Sequence, residues 1–255
     1  ARAIAGELSA LTRDLLLFDY PVFQENADKG DYHVMLGSSA RTVDGTVVFN
    51  QEHPDPVLKE IFRDKRFRQA VSVAIDRDEI NDLVFLGQGR PLQAVCHPSC
   101  AYYKEEWGSH FAQYDPDLAN QLLDDMGLEM GPDGVRLRPD GKPLTFLLEF
   151  VQHHGPQKQQ AELIVKHLAA VGINAEGKEA EKSYIGQRNS AQEQDATMWM
   201  VDRTLERAEW VRGGSGAKLA PGGNSTGQYC RAWQDYRNTD GQSGIEPPQE
   251  AWDLW

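Results

Sequence analysis

The run HPDPVLKEIFRDKRFRQAVSVAIDRDEI, His53 to Ile80, leaves this chain little conformational choice. Asp55 can cap a helix whose opening position is Pro56, where a missing N–H costs nothing. Val57, Leu58, Ile61 and Phe62 then fall on one face. After the charged joint Asp64-Lys65-Arg66, the residues Phe67, Ala70, Val71 and Ala74 recur at i, i+3, i+4 and i+7, the spacing of a half-buried helix. Asp76 followed by Glu79 has the pattern of a capping box opening a third helix, with Ile80, Leu83 and Val84 on its face and Gly87 as its stop. A segment of this kind is scaffold, and its apolar stripes demand a core to pack against.

The rest of the chain supplies that core as an alternation. Leu8, Leu11, Leu15 and Leu16 recur at helical spacing, Pro21 opens a further short helical segment, and Tyr32–Leu36 and Thr46–Asn50 are expected as strands. Residues 88–107 form an irregular loop carrying Tyr102, Tyr103 and Trp107. Asp115-Pro116 starts a helix through Leu118, Leu122 and Met126 that ends at Gly127. Two Pro-Asp-Gly turns, at Pro132 and Pro139, bracket a short strand over Val135–Arg138. Strands over Leu144–Phe150, Ile173–Glu176 and Ala196–Val201 then alternate with helices over Gln157–Val171 and Lys182–Ser190, which predicts an α/β layer. In the last strand Met198 and Met200 face one way and Trp199 and Val201 the other, so it is expected to be buried on both faces. Gly213–Gly227 reads as an exposed loop.

Charge and motif content exclude several functions. The 26 basic against 39 acidic residues give a net charge of −13, which opposes binding to nucleic acid or to an anionic membrane surface. No apolar run reaches the roughly 18 residues a membrane-spanning helix needs. Gly213-Gly214-Ser215-Gly216-Ala217-Lys218 has its glycines at the wrong spacing for a phosphate loop, and Leu219 stands where a hydroxyl is needed. His153 and His154 are adjacent on an extended segment and point to opposite faces, so they do not converge on one ion. Cys96 and Cys100 flank His97, too few ligands for a structural zinc site; a local disulfide and a pair of small buried residues both remain open, and Cys230 is expected to be unpaired. Neither a cofactor nor a metal is expected.

The wording of the run, DKRFRQAVSVAIDRDEI, resembles the signature of the family 5 extracytoplasmic solute-binding proteins, the dipeptide- and oligopeptide-type receptors of bacterial ABC importers. FLGQGRP, YDPDLANQLLDDMGL and GVRLRPDGKPLTFLLEF follow in the family's usual succession, and the resemblance runs from about Gly30 to Asp202. It implies a fold like the type II periplasmic-binding proteins, a mixed sheet flanked by helices. Residues 1–50 would then end a first lobe and connect it to a C-terminal ligand-binding lobe over 51–255, with the chain incomplete at both ends. It also implies a periplasmic, non-enzymatic protein that captures a peptide or similar small solute between two lobes and delivers it to the transmembrane subunits of an ABC permease. A receptor for oligosaccharides or opines is the alternative within the family, and a hydrolase using His153 or His154 with a nearby carboxylate is the alternative from another class.

Ligands of open α/β layers gather beyond the carboxyl ends of the strands, which singles out DATMWMVDR. In the peptide receptors this strand ends in a tryptophan-containing stretch whose first aspartate holds the ligand's ammonium group, and Trp199 and Asp202 fall at the matching places. The family's next residues are replaced by Arg203-Thr204-Leu205, so Arg203 is either a further ligand contact or the ion-pair partner of Asp202. Trp233 and Tyr236, in CRAWQDYRN, are candidate aromatic walls of the cleft. Arg188, on the preceding helix, is expected to be solvated.

Overall fold

The computed structural model describes residues 2–8, 17–37, 43–101, 103–151, 156–201 and 231–252. Two short helices, α1 (Tyr20–Glu25) and α2 (Ala27–Gly30), precede strand β1 (Val43–Phe49). Then come α3 (Pro56–Arg63), α4 (Lys65–Ala74), α5 (Arg77–Phe85), α6 (Glu105–Ser109) and α7 (Pro116–Asp124). The chain continues through β2 (Thr145–Phe150), α8 (Gln157–Ala170), β3 (Asn174–Glu179), α9 (Lys182–Ala191) and β4 (Ala196–Val201), and the described part closes with α10 (Arg231–Asn238) and α11 (Gln249–Trp252). Among the described residues no helix is long and apolar enough to cross a membrane.

The three helices expected from the opening run are present, and each is held by the aspartate before it. Asp55 Oδ1 accepts from the N–H groups of Val57 at 2.8 Å and Leu58 at 3.3 Å. Asp64, expected as part of a charged joint, is itself a cap and accepts from Arg66 N–H at 2.8 Å. Asp76 caps through Glu79 N–H at 2.9 Å. The reciprocal half of that capping box is routed through α8: Asp76 N–H donates to His167 Nδ1 at 3.3 Å, and His167 Nε2 donates to Glu79 at 2.5 Å. One local motif thus ties α5 to α8.

The strands form a four-stranded mixed sheet in the order β1-β4-β2-β3. β2 is parallel to both β3 and β4, whereas β1 runs antiparallel to β4 with Thr46 opposite Trp199 and Val48 opposite Thr197. One sheet face packs on α4 and α8 through Phe146, Leu148, Ile164, Leu168 and Met198. Phe49 centres an aromatic cluster, with ring centroids 5.0 Å from Phe62, 5.1 Å from Phe67 and 5.3 Å from Phe146. The run that opens the sequence is therefore the wall of the core.

Two expected strands differ. Tyr32–Leu36 is irregular, with Met35 and Leu36 exposed and no described strand pairing with it; apolar alternation without a partner makes no ladder. Val135–Arg138 reduces to isolated bridges, Met130 to Arg136 and Leu137 to Pro143, between turns closed by Gly134 N–H to Gly131 O and Gly141 N–H to Arg138 O. Gly172 joins α8 to β3 at φ +81°, where an added Cβ would lie 2.9 Å from Arg136 Cγ, so conformation and space both require glycine.

Acid is expected to weaken this arrangement. Partial burial pushes the Asp55 carboxyl up, but hydrogen bonds from Arg138, Val57 and Leu58 together outweigh it and hold the group below the usual range. Arg66 lowers Asp64, and Lys166 with His167 lowers Glu79. A carboxyl depressed in the folded state contributes stability that is complete above its unfolded value, about 3.9–4.3, and is lost as pH falls through the folded value. Urea midpoints should accordingly drop on acidification below about pH 4. Asp55→Asn should be less stable than the parent at neutral pH and converge with it in acid. A gap that stays constant down to pH 2 would overturn this account.

Candidate functional site

β4 sits between β1 and β2, so its carboxyl end opens at the middle of the sheet edge where β2 and β3 also end. Its sequence, ATMWMV, explains the position: Ala196, Thr197, Met198 and Met200 are all buried, as an inner strand requires. Trp199 is half-buried on the opposite face from Met198, and Lys182 Nζ, at the start of α9, lies 5.7 Å from the centroid of its ring. An indole carrying a cation on one face is a recognised aromatic–cation arrangement. Asp202 and Arg203 follow β4 directly and lie outside the described residues, as do His153, His154 and Cys230.

The face that bears Trp199 is polar beneath α9. Glu149 pairs in register with Thr197 and is 0 % exposed. Arg188 Nε approaches its two carboxylate oxygens at 3.0 and 3.2 Å, and the guanidinium also donates to Glu193 O at 2.7 Å. The expected solvated Arg188 is thus corrected: it leans inward because Glu149 is a carboxylate in a buried strand and must find a cation. The buried Thr46 and Thr197 hydroxyls and the Gln194 side-chain amide have no hydrogen-bond partner among the described residues.

The two aromatic candidates on α10 are three residues apart, one turn of helix. Trp233 is 5 % exposed; its indole N–H donates to Glu52 Oε1 at 2.9 Å, and the Arg63 guanidinium lies 5.8 Å from its ring centroid. Glu52 is itself buried and ion-paired to Lys59, at 2.6 Å, and to Arg63. The contacts of Trp233 therefore fasten α10 to α3. Tyr236 is half-buried and its ring covers Gly241, where an added Cβ would lie 3.3 Å from Tyr236 Cζ. The structure thus presents Trp199 on the sheet and Trp233 with Tyr236 on a separate helix.

A cleft of about 1150 Å³ that no sequence motif announced runs along β1, on the side away from β4. α4, α5 and the segment 89–96 wall it, with Trp107, His110 and Gln160 among its lining residues. Arg77 reaches it from α5 and donates to Ser72 O at 2.8 Å, Ala112 O at 3.2 Å, Ile75 O at 3.3 Å and Ser72 Oγ at 2.8 Å. Burial pulls this guanidinium down to about 10. Carbonyl dipoles balance its charge, and no carboxylate pairs with it among the described residues. Gln93 completes the network by donating to Phe111 O at 2.9 Å.

Other constellations are structural. His53 Nε2 lies 2.8 Å from Asp195 Oδ1, while its Nδ1 accepts from Asp55 N–H at 3.0 Å; Asp195 Oδ2 accepts from Leu147 N–H at 2.7 Å. That pair joins the β1–α3 connection to the sheet. Among the described residues no group of three histidine, cysteine or acidic side chains could hold a metal ion.

Comparison with known proteins bears on the family and the fold. A sequence model described as bacterial extracellular solute-binding proteins, family 5 Middle, matches residues 2–206. The oligopeptide-binding protein AppA of Bacillus subtilis is 30 % identical over 115 residues, 45 % of this chain and 21 % of that protein. The nickel-binding periplasmic protein of Escherichia coli is 25 % identical over 194 residues, 74 % of this chain and 35 % of that protein. Among solved structures, an oligopeptide-binding protein OppA superposes on 99 % of this chain with a TM-score of 0.79 and 29 % identity, while the match takes in 42 % of that chain. The chain thus spans less than half the length of these relatives. The fold is that of the type II periplasmic-binding proteins.

Proposed function

Since this chain belongs to the family 5 bacterial extracellular solute-binding proteins, we propose that it forms the ligand-binding lobe of the substrate-binding component of an ABC importer. The intact receptor would capture a peptide or similar small solute between two lobes in the periplasm and deliver it to the permease. The observation that carries this reading is the likeness to an oligopeptide-binding protein along 99 % of the chain. The work is capture rather than bond chemistry. Lobes close about a hinge, and closure is driven by the contacts a ligand makes with both at once. A single lobe should therefore bind weakly.

Within the lobe, Asp202 and Trp199 at the carboxyl end of β4 are the proposed ligand contacts. A carboxylate meeting an ammonium group makes a charge-assisted bond, stronger than a neutral one, and the indole supplies a stacking wall. Arg203 either neutralises that carboxylate or reaches for an acidic group on the solute. Tyr236, with Trp233 behind it, completes the proposed aromatic set.

Thermal denaturation of the intact two-lobed protein with peptides and, separately, oligosaccharides tests the reading. A solute present at 100 times its dissociation constant stabilises the native state by about 2.7 kcal/mol, a shift of several degrees. Peptides should give that shift, and Asp202→Asn should reduce it. A response confined to oligosaccharides would transfer the site to sugars, and none from either class would overturn the proposal.

A further inference from the structure

The segment on the rim of the large cleft contains two cysteines held for each other. Cys96 and Cys100 are both thiols, 1 % and 6 % exposed, and Cys96 also lines the cleft. Between them the chain turns back sharply: Cys100 N–H donates to His97 O at 2.9 Å, with Pro98 at the second position of the turn, where its fixed φ favours such a bend. His97 Nδ1 accepts from Ser99 N–H at 3.2 Å and lies 2.7 Å from the Ser99 hydroxyl, and Tyr103 N–H donates to Cys100 O at 3.0 Å. The Cys96 and Cys100 side chains are hydrogen-bonded to one another. Small buried cysteines are ordinary core residues, but two of them in side-chain contact across a pre-shaped turn are placed for a bond.

We propose that Cys96 and Cys100 close a disulfide that pins residues 96–100 on the rim of the cleft. The oxidant is a disulfide-bearing molecule. One cysteine thiolate attacks a sulfur of that disulfide, forming a mixed disulfide and expelling a thiolate. The second cysteine thiolate then attacks the first, expelling the other half of the oxidant. Two electrons pass to the oxidant, and the two protons lost from the cysteines end on the two thiols it becomes. Burial, with the neighbouring Cys100 sulfur, pushes the Cys96 thiol up, so closure should be faster in mild alkali than at neutral pH. Oxidising surroundings let such bonds persist. That part rests on the proposed periplasmic location, whereas the bond itself is tested without it.

The test is incubation of the protein in oxidised or reduced glutathione, unfolding, alkylation with iodoacetamide, and mass analysis of the tryptic peptide 78–104, which contains both cysteines. After oxidation the peptide should be unalkylated and lighter by two hydrogen atoms; after reduction it should be alkylated twice. Cys96→Ser under the oxidant should carry glutathione or label on Cys100, while solute binding by the receptor is read in separate experiments. Two alkyl groups after oxidation, glutathione adducts on the parent chain, or a cross-link to Cys230 would each overturn the pairing.

Discussion

Replacing Arg136 by methionine is expected to cost about 3–5 kcal/mol, among the largest effects available in this chain. The residue is 2 % exposed, and its guanidinium closes three pieces of backbone at once. Nε donates to Val171 O at 2.9 Å at the end of α8, Nη1 to Leu128 O at 2.5 Å after α7, and Nη2 to the Asn120 side chain at 2.8 Å within α7. The Asp124 carboxylate, 2.6 Å from Nη1, balances the charge. Methionine fills much of the volume but leaves the carbonyls of Leu128 and Val171 buried with nothing to accept from, and an orphaned buried acceptor costs about 1–3 kcal/mol. Lysine should recover little, because one ammonium cannot span acceptors that a planar fork reaches together. Asp124→Asn should cost under about 1 kcal/mol, since that carboxylate is 65 % exposed and the amide oxygen, with water, can accept from the guanidinium in its place. Urea denaturation orders the three. An Asp124→Asn loss as large as that of Arg136→Met would mean the ion pair, not the backbone acceptors, holds the joint.

The contrast between such sites and the helix caps explains what the sequence disclosed. Asp55, Asp76 and Asp115 could be read directly, because a cap joins a side chain to N–H groups two or three residues on. β4 was legible as an apolar run over Ala196–Val201, and its place inside the sheet followed from its having little polar surface. Asp64 was hidden by its neighbours, since a cap inside Asp-Lys-Arg looks like a charge run. Glu79 met the capping-box pattern, yet its carboxylate serves Lys166 and His167. The pairings across the fold had no local sign: Glu52 meets Trp233 from 181 residues away, and Glu149 meets Arg188 from 39. What TFLLEF did offer was a carboxylate among apolar residues in a strand parallel on both sides. Burial there makes a paired cation obligatory without naming it. The cleft along β1 had no signal at all, being enclosed by residues from many separate segments.

Glu149 and Arg188 give the second large prediction. Arg188→Met is expected to destabilise the fold by about 3–5 kcal/mol, because it strands a fully buried carboxylate. Glu149→Leu should cost less, since Arg188 keeps its hydrogen bond to Glu193 O at 2.7 Å and its head can move toward water. The double variant, Glu149→Leu with Arg188→Met, should be more stable than Arg188→Met alone, because an apolar pair of similar volume removes the charge rather than orphaning it. The coupling between the sites should then be opposite in sign to the loss of the first single variant, which a double-mutant cycle reads directly. Equal costs for the two single variants would show that Arg188 contributes packing alone. The outcome bears on the site itself, because the row Thr46–Trp199 and Thr197–Glu149 lies on one sheet face. A strand that shifts to relieve a stranded charge would carry Trp199 with it, and solute binding by Arg188→Met should weaken.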